Sequence, residues 1–467
     1  MSNILTSNTK PTVIKFISLV ALLIFMPILL YGTNEIIVLL TRASGTRASI
    51  VINTKLQLEQ INTDFYHAFA QGGAEPSNML ASVSSLLPQL RPKIIRVDHV
   101  FDAYGVVNKQ GEGLAYSWDK LDSVIDTITA SGAKPMIALS YMPPAIAKDG
   151  IVINQPNNWN DWAQVVQRLI EHYSGKSEKN ISGIYYEVWN EPDLAQFGSW
   201  RYWGGKNYLT LYQFAANGAQ KAQNVNNFYL GGPATTGLYK EWVLALMKSG
   251  MRINFLSWHT YERNPLKYSS DQQNVISWLL PYPNYTLIPK IISEFGFTGD
   301  HSTSYGTAYA AAHVAAVVRQ LVSGGPSYIV SFQLKDGPNQ QSGDGWGVIT
   351  HEDNGLKQKP RYYIYSFLDS MAGKRVSLSG EGTWVTGFAS IRDNTLRVML
   401  VNFDPNGSHS ETVPVTFGSL DPGSYKFRQR YFSGQDTTIT ETVSGDILTK
   451  KINMPASTII ILELTRQ

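Results

Sequence analysis

The strongest constraint on this chain is an alternation. Between about Asp64 and Ala372, short apolar runs suited to buried strands are separated by amphipathic stretches of helical length. The strands are predicted at His67–Phe69, Lys93–Val97, Lys134–Leu139, Ile184–Trp189, Phe228–Leu230, Phe255–His259, Lys290–Ser293 and Tyr328–Leu334. Helices are predicted between them, among others over Trp118–Ala130, Trp162–Tyr173, Leu209–Val225, Glu241–Lys248 and Ala308–Val322. Gly132, Gly250 and Gly324 follow three of these, where a helix end favours a residue tolerant of positive φ. Eight strands and about eight helices in some 300 residues fit a closed (β/α)8 barrel. The competitor is an open doubly wound sheet, which would carry a glycine-rich phosphate turn after an early strand. Gln71-Gly72-Gly73 is too short for that turn.

After Ala372 the pattern changes to short β-rich runs: Val376–Leu378, Trp384–Ile391, Thr395–Asn402, Glu411–Thr416, Ser424–Tyr431, Asp436–Thr442 and Ser457–Leu464. Turn signals of Gly, Asp-Asn, Asp-Pro and Asn-Gly separate them, which predicts a small β-sandwich over 373–467 packed on a barrel over 43–372. Ahead of both, Lys10 and Lys15 precede an apolar run from Phe16 to Tyr31, with a further apolar patch at Ile36–Leu40. A spanning helix needs about 20 residues. Residues 1–42 are therefore expected to be an uncleaved membrane anchor with the body outside the cytoplasm, or alternatively a cleaved signal segment.

Composition narrows the chemistry. The chain has no Cys, which removes disulfides, thiolate metal sites and cysteine nucleophiles. A net charge of +3 and only 16% charged residues give no basic face for nucleic acid. Aromatic residues at 12% argue against a disordered chain.

Two glutamates stand out. Tyr185-Tyr186-Glu187-Val188-Trp189-Asn190-Glu191-Pro192 ends the fourth strand, and Ile291-Ile292-Ser293-Glu294-Phe295-Gly296 ends the seventh. Both carboxylates are then expected at the C-terminal rim, where barrel active sites are built. Such a pair suits glycosidic cleavage, one acid protonating the leaving oxygen and the other attacking the anomeric carbon. The pair could instead bind a divalent metal, although no His and Asp cluster at ligand spacing stands nearby.

The Trp189-Asn190-Glu191-Pro192 and Ser293-Glu294-Phe295-Gly296 blocks resemble the acid/base and nucleophile motifs of clan A glycoside hydrolases. Gly231-Gly232-Pro233 and His259-Thr260-Tyr261 are most similar to glycoside hydrolase family 39, which includes β-xylosidases, α-L-iduronidases and bacterial exopolysaccharide endoglycosidases. The resemblance implies Glu191 as general acid/base and Glu294 as nucleophile of a retaining reaction. Asn190 would bond the sugar hydroxyl beside the anomeric carbon, and Tyr261 would hold the nucleophile. Arg96 would keep Glu294 ionised, neutralise Glu187, or do both, and His259 would give structural support. Asp98 and His99 would reach a bound sugar or cap the following loop. Strand eight reads Ser331-Phe332-Gln333-Leu334, without the tryptophan common in the clan, and Trp346 is the candidate to fill that space. Tyr141, Phe197, Trp200 and Trp203 are further loop aromatics that would stack on sugar or belong to the core. The expected partners are an oligo- or polysaccharide and, through the N-terminal segment, a membrane. No nucleic acid, metal or other cofactor is implied. A non-catalytic carbohydrate-binding surface protein on the same fold is the alternative.

Overall fold

A computed structural model describes residues 45–340 and 343–467. The predicted N-terminal anchor or signal segment lies outside the described residues. Among those residues, no helix is long and apolar enough to cross a membrane.

Eight parallel strands close into a barrel: Ala68–Gln71, Ile94–Val97, Lys134–Leu139, Tyr185–Val188, Tyr229–Thr235, Phe255–Tyr261, Lys290–Gly296 and Tyr328–Ser331. The first, second, fourth and eighth are buried or nearly so along their whole length, as strands lined by helices outside and packed side chains inside must be. The fifth runs further than expected, through Gly231-Gly232-Pro233. A Cβ on Gly231 would stand 2.3 Å from the Phe255 carbonyl, and one on Gly232 would stand 2.5 Å from the Tyr208 hydroxyl. Only glycine lets this strand lie between its neighbours.

Trp159–Ser174 is a full turn longer than expected because Asn158 caps it, accepting from the Asn160 amide at 2.9 Å. The helix predicted to reach Val225 stops at Lys221, where Asn224 turns left-handed and Val225 bridges to Gly175. Gly132, Gly250 and Gly324 take positive φ after their helices, as the sequence predicts.

The barrel boundary at residue 43 requires correction. Strand Ile50–Gln60 belongs to the C-terminal sheet, antiparallel to Lys374–Ser379 and parallel to Glu411–Gly418. Its alternation explains the choice: Ile50 and Ile52 are buried while Val51 and Asn53 are exposed, a one-faced strand unsuited to a barrel wall. The nine-stranded sheet also gains Leu448–Met454, hidden in the sequence by two adjacent lysines: Lys451 is exposed on the outer face, while Lys450, on the face of Leu448 and Ile452, pairs with Glu441 at 2.5 Å. The sheet folds over on itself, since Phe417 and Phe427 from its two halves meet at 6.0 Å.

Strand periodicity builds two cores at once. Val398 and Leu400 face the sheet's own interior, while Met399 and Val401 join the barrel core. Ile460 and Leu462 divide from Ile459 and Ile461 in the same way. Phe403 packs on Tyr309 at 5.0 Å and His313 at 5.3 Å, both on helix Ala308–Leu321, and Arg319 of that helix pairs with Glu381. Phe403→Ala is expected to lower stability by about 3–5 kcal/mol, as for other buried aromatics cut to alanine. Urea unfolding followed by circular dichroism measures this, and an unchanged midpoint would show that the junction contributes nothing.

Candidate active site

The fourth strand ends at Val188, and the chain then makes an unusual turn. Trp189 has φ 71° and Glu191 φ 44°, left-handed values that non-glycine residues seldom adopt. The turn is held from several sides. Trp189 is buried, donates its indole N–H to the Phe197 carbonyl at 2.9 Å and meets Tyr141 and Trp200 edge-on. The Glu191 amide donates to the Ala234 carbonyl at 2.9 Å, next to strand five. Asn190 and Glu191 are thereby turned into the barrel mouth.

Beneath them Arg96 makes three charge-assisted bonds. It donates to Glu187 at 2.7 Å, to Glu294 at 2.8 Å and to the Asn190 side-chain oxygen at 2.7 Å, with Asp98 at 3.9 Å. Arg96 thus reaches both of the carboxylates weighed for it. Because a guanidinium only donates, it fixes which Asn190 atom is oxygen. One hydrogen of the amide nitrogen then goes to the Tyr141 hydroxyl at 2.9 Å, and the other is left for a ligand.

Glu294 accepts from Tyr261 at 2.6 Å on its second oxygen. Burial pushes its carboxyl above the usual range, and the neighbouring charges of His259 and Arg96 oppose that push. Burial disfavours the charged form of His259, but Glu294 and Glu191 outweigh it and raise the imidazole above its ordinary value. His259 Nδ1 lies 2.9 Å from Glu191 and 3.6 Å from Glu294. One atom each of Glu191, His259 and Glu294 falls within 4.8 Å of the others. A metal would have to compete there with Arg96 and the Tyr261 hydroxyl for Glu294, so the set suits proton transfer better than cation binding. A second trio, Glu75, His351 and Glu352, is also close together, but Lys335 already places its ammonium 2.5 Å from Glu352.

Glu191, Glu294, Asn190, Tyr261, Asp98, His99 and Trp346 line one cleft of about 600 Å3. Arg96 and His259 form its buried floor. Asp98 accepts from the Gly73 amide at 2.9 Å, and His99 pairs with Asp102 at 2.8 Å. Against the cost of burial, the Asp102 bond and the Asp98 charge raise His99 to about 9. Gly73 is needed for this approach, since a Cβ there would stand 2.4 Å from that of His99.

Trp200 does not reach the cleft. It is fully buried behind Trp189 and belongs to the core, so its predicted sugar contact is withdrawn. Trp203 is exposed but lies outside the cleft lining, and Tyr141 is buried where it serves Asn190. Phe197 does line the cleft, stacked on Tyr141.

Sequence reasoning missed Gln333, Phe332, Gln340 and Asp300. Gln333 carried a readable signal as a lone amide at the end of an apolar strand. Its oxygen accepts from the Gly72 amide at 3.0 Å, closing the mouth between the first and eighth strands.

The family model Glycosyl hydrolases family 39 matches residues 78–382. The chain is 33% identical over 175 residues to a beta-xylosidase of Caldicellulosiruptor saccharolyticus, 34% of either protein. It is 23% identical over 301 residues to a beta-xylosidase of Geobacillus stearothermophilus, covering 57% of this chain and 58% of that one. The chain thus spans about a third and under three fifths of the length of these two relatives. A monomeric beta-xylosidase from Caulobacter crescentus CB15 shares the fold, with a TM-score of 0.71 at 18% identity over 90% of this chain and 99% of that one.

Removing the guanidinium would leave Glu187 and Glu294 buried without their cation. Arg96→Met is expected to cost about 3–5 kcal/mol of stability, the usual penalty for breaking a buried ion pair from one side. Denaturant titration checks this, and a loss below about 1 kcal/mol, the scale of a surface pair, would contradict it.

Proposed function

The chain belongs to glycosyl hydrolases family 39, and we propose that it is a retaining enzyme that cleaves O-glycosidic bonds in an oligo- or polysaccharide through Glu191 and Glu294. The observation that carries this reading is the approach of the two carboxylates across one cleft, one oxygen of Glu191 lying within 4.8 Å of one oxygen of Glu294. Retaining pairs stand about 5–5.5 Å apart, whereas inverting pairs leave about 6.5–9.5 Å for a water.

In the first step a Glu294 oxygen attacks the anomeric carbon while Glu191 gives its proton to the leaving oxygen. The C–O bond to the aglycone breaks and an ester to Glu294 forms. Glu191, now a carboxylate, takes a proton from water, which attacks the same carbon and frees Glu294. Arg96 and Tyr261 hold the Glu294 carboxylate in line without blocking Glu191. His259, whose imidazole Glu294 and Glu191 raise above its ordinary value, stands 2.9 Å from Glu191, within reach for a hydrogen bond to the acid/base. The free hydrogen of the Asn190 amide is left to bond a sugar hydroxyl, a contact that strengthens as charge develops.

A non-catalytic binding protein would need neither carboxylate held in this way. The names of the relatives make an aryl β-xyloside the first substrate to try. We also propose that the catalytic body works outside the cytoplasm. Support for this is the apolar Phe16–Leu40 stretch behind two lysines.

Glu294→Gln should abolish turnover of an activated aryl glycoside in a folded protein. Glu191→Ala should slow it by about 10²–10⁴-fold and be rescued by azide. Proton NMR of the first-formed product should show the anomeric configuration of the substrate. Inversion, or normal turnover by Glu294→Gln, would defeat the reading.

A further inference from the structure

Trp346 enters the cleft on a loop folded around a buried ion pair that takes no part in bond cleavage. Asp336, 1% exposed, follows the eighth strand, and Lys359, 4% exposed, directly precedes helix Pro360–Asp369. The ammonium of Lys359 lies 2.7 Å from one oxygen of Asp336 and donates to the Gly345 carbonyl at 2.8 Å. The other oxygen of Asp336 accepts from the Gly347 amide at 2.6 Å. The pair therefore grips the residue on each side of Trp346.

The two glycines make this grip possible. A Cβ on Gly345 would lie 2.2 Å from an Asp336 carboxylate oxygen, and one on Gly347 would lie 2.4 Å from the Asp336 amide nitrogen. The strap is also fastened to the eighth strand's extension, where the Gln333 amide donates to the Trp346 carbonyl at 3.0 Å and the Val348 amide to the Gln333 carbonyl at 2.9 Å. Held in this way, the half-buried Trp346 ring meets His301 edge-on at 4.0 Å and Phe332 at 5.7 Å, and lines the same cleft as Glu191 and Glu294.

We propose that Asp336 and Lys359 are positioning residues that fix Trp346 as a stacking platform for a sugar, and so set substrate affinity while leaving the chemical step alone. This rests on the glycosidase reading above. The physical ground is that a flat ring gains most from a sugar's C–H face when its plane is fixed beforehand, and a buried ion pair bonded to the backbone on each side of the ring is a firm support. Among the described residues of the loop, the partly buried Asp344 adds one further bond, its carbonyl accepting from the Ser302 amide at 3.0 Å.

The test uses the full chain and 4-nitrophenyl β-D-xylopyranoside. Lys359→Met should raise KM about tenfold while kcat stays within about twofold, the pattern of lost uniform binding. Trp346→Ala should do the same, and the double variant should be no worse than Trp346→Ala alone, because both remove one platform. Lys359→Arg, which keeps the charge, should recover most of the affinity. An unchanged KM in Lys359→Met, a fall in kcat at constant KM, or multiplying KM effects in the double variant would overturn the proposal.

A second measurement needs no turnover. The near-ultraviolet circular dichroism band lost in Trp346→Ala should also be lost in Lys359→Met, and its retention would overturn the proposal. Should Lys359→Met fail to fold, Gly345→Ala replaces it, because its methyl group would stand 2.2 Å from the Asp336 carboxylate and 2.1 Å from the Gln340 side-chain oxygen and so displace the strap while both charged residues are kept, and it should raise KM and lose the band in the same way. Turnover by the wild type and its loss in Glu294→Gln judge the glycosidase reading separately.

Discussion

The site depends on where one guanidinium sits. Arg96 emerges from the second barrel strand and ties together Glu187 and Asn190 from the fourth with Glu294 from the seventh. Three strand ends are thus referred to a single planar group whose bond directions are fixed by its own geometry. Glu187 gives this arrangement its chemical balance. A guanidinium facing Glu294 alone would pair with that carboxylate in full. With Glu187 taking a second N–H at 2.7 Å, the cation is shared, and Glu294 is oriented without being fully neutralised. The cost is one Glu187 oxygen buried without a partner.

The backbone carries a related cost at the turn above. Left-handed φ at Trp189 and Glu191 represents about 1–3 kcal/mol for each residue. It persists because Trp189 is wedged among Tyr141, Phe197 and Trp200, whose burial outweighs it. Trp200, whose sequence position suggested sugar contact, therefore contributes by keeping Trp189 in place. An aromatic in a loop is ambiguous in sequence because packing under a turn and stacking on a ligand require the same flat apolar face.

That ambiguity marks how far the sequence could be read. The eight barrel strands were legible because full burial forces continuous apolar runs, and the two glutamates because each ends such a run. Arg96, His259 and Tyr261 were legible through their resemblance to a known family's motifs. Strand Ile50–Gln60 was not, since its one-sided burial depends on partners more than 300 residues away. Leu448–Met454 was masked by Lys451, harmless on the outer face, and by Lys450, whose charge is met by Glu441. Gln340 escaped notice because an amide beside a cleft differs from an amide in any loop only by what surrounds it, whereas Gln333 could have been read from its place at the end of an apolar strand.

The missed N-terminal strand also bears on the barrel itself. The barrel closes where the eighth strand meets the first, and that seam has only two residue pairs, Val330 with Ala68 and Ser331 with Phe69. The catalytic mouth lies directly above it, where Gln333 bonds Gly72 and Leu334 bonds the Ala70 carbonyl. Ile50–Gln60 leads into the first barrel strand, and Lys374–Ser379 follows the last barrel helix. By pairing with each other in the C-terminal sheet, they join the two ends of the barrel chain next to the seam. Closing so long a loop is costly in entropy only once, and the sheet meets that cost with its own core. A short seam can then carry a cleft wall made of glycines and a glutamine, because a restraint that helps keep the barrel shut is placed in a different layer of the molecule.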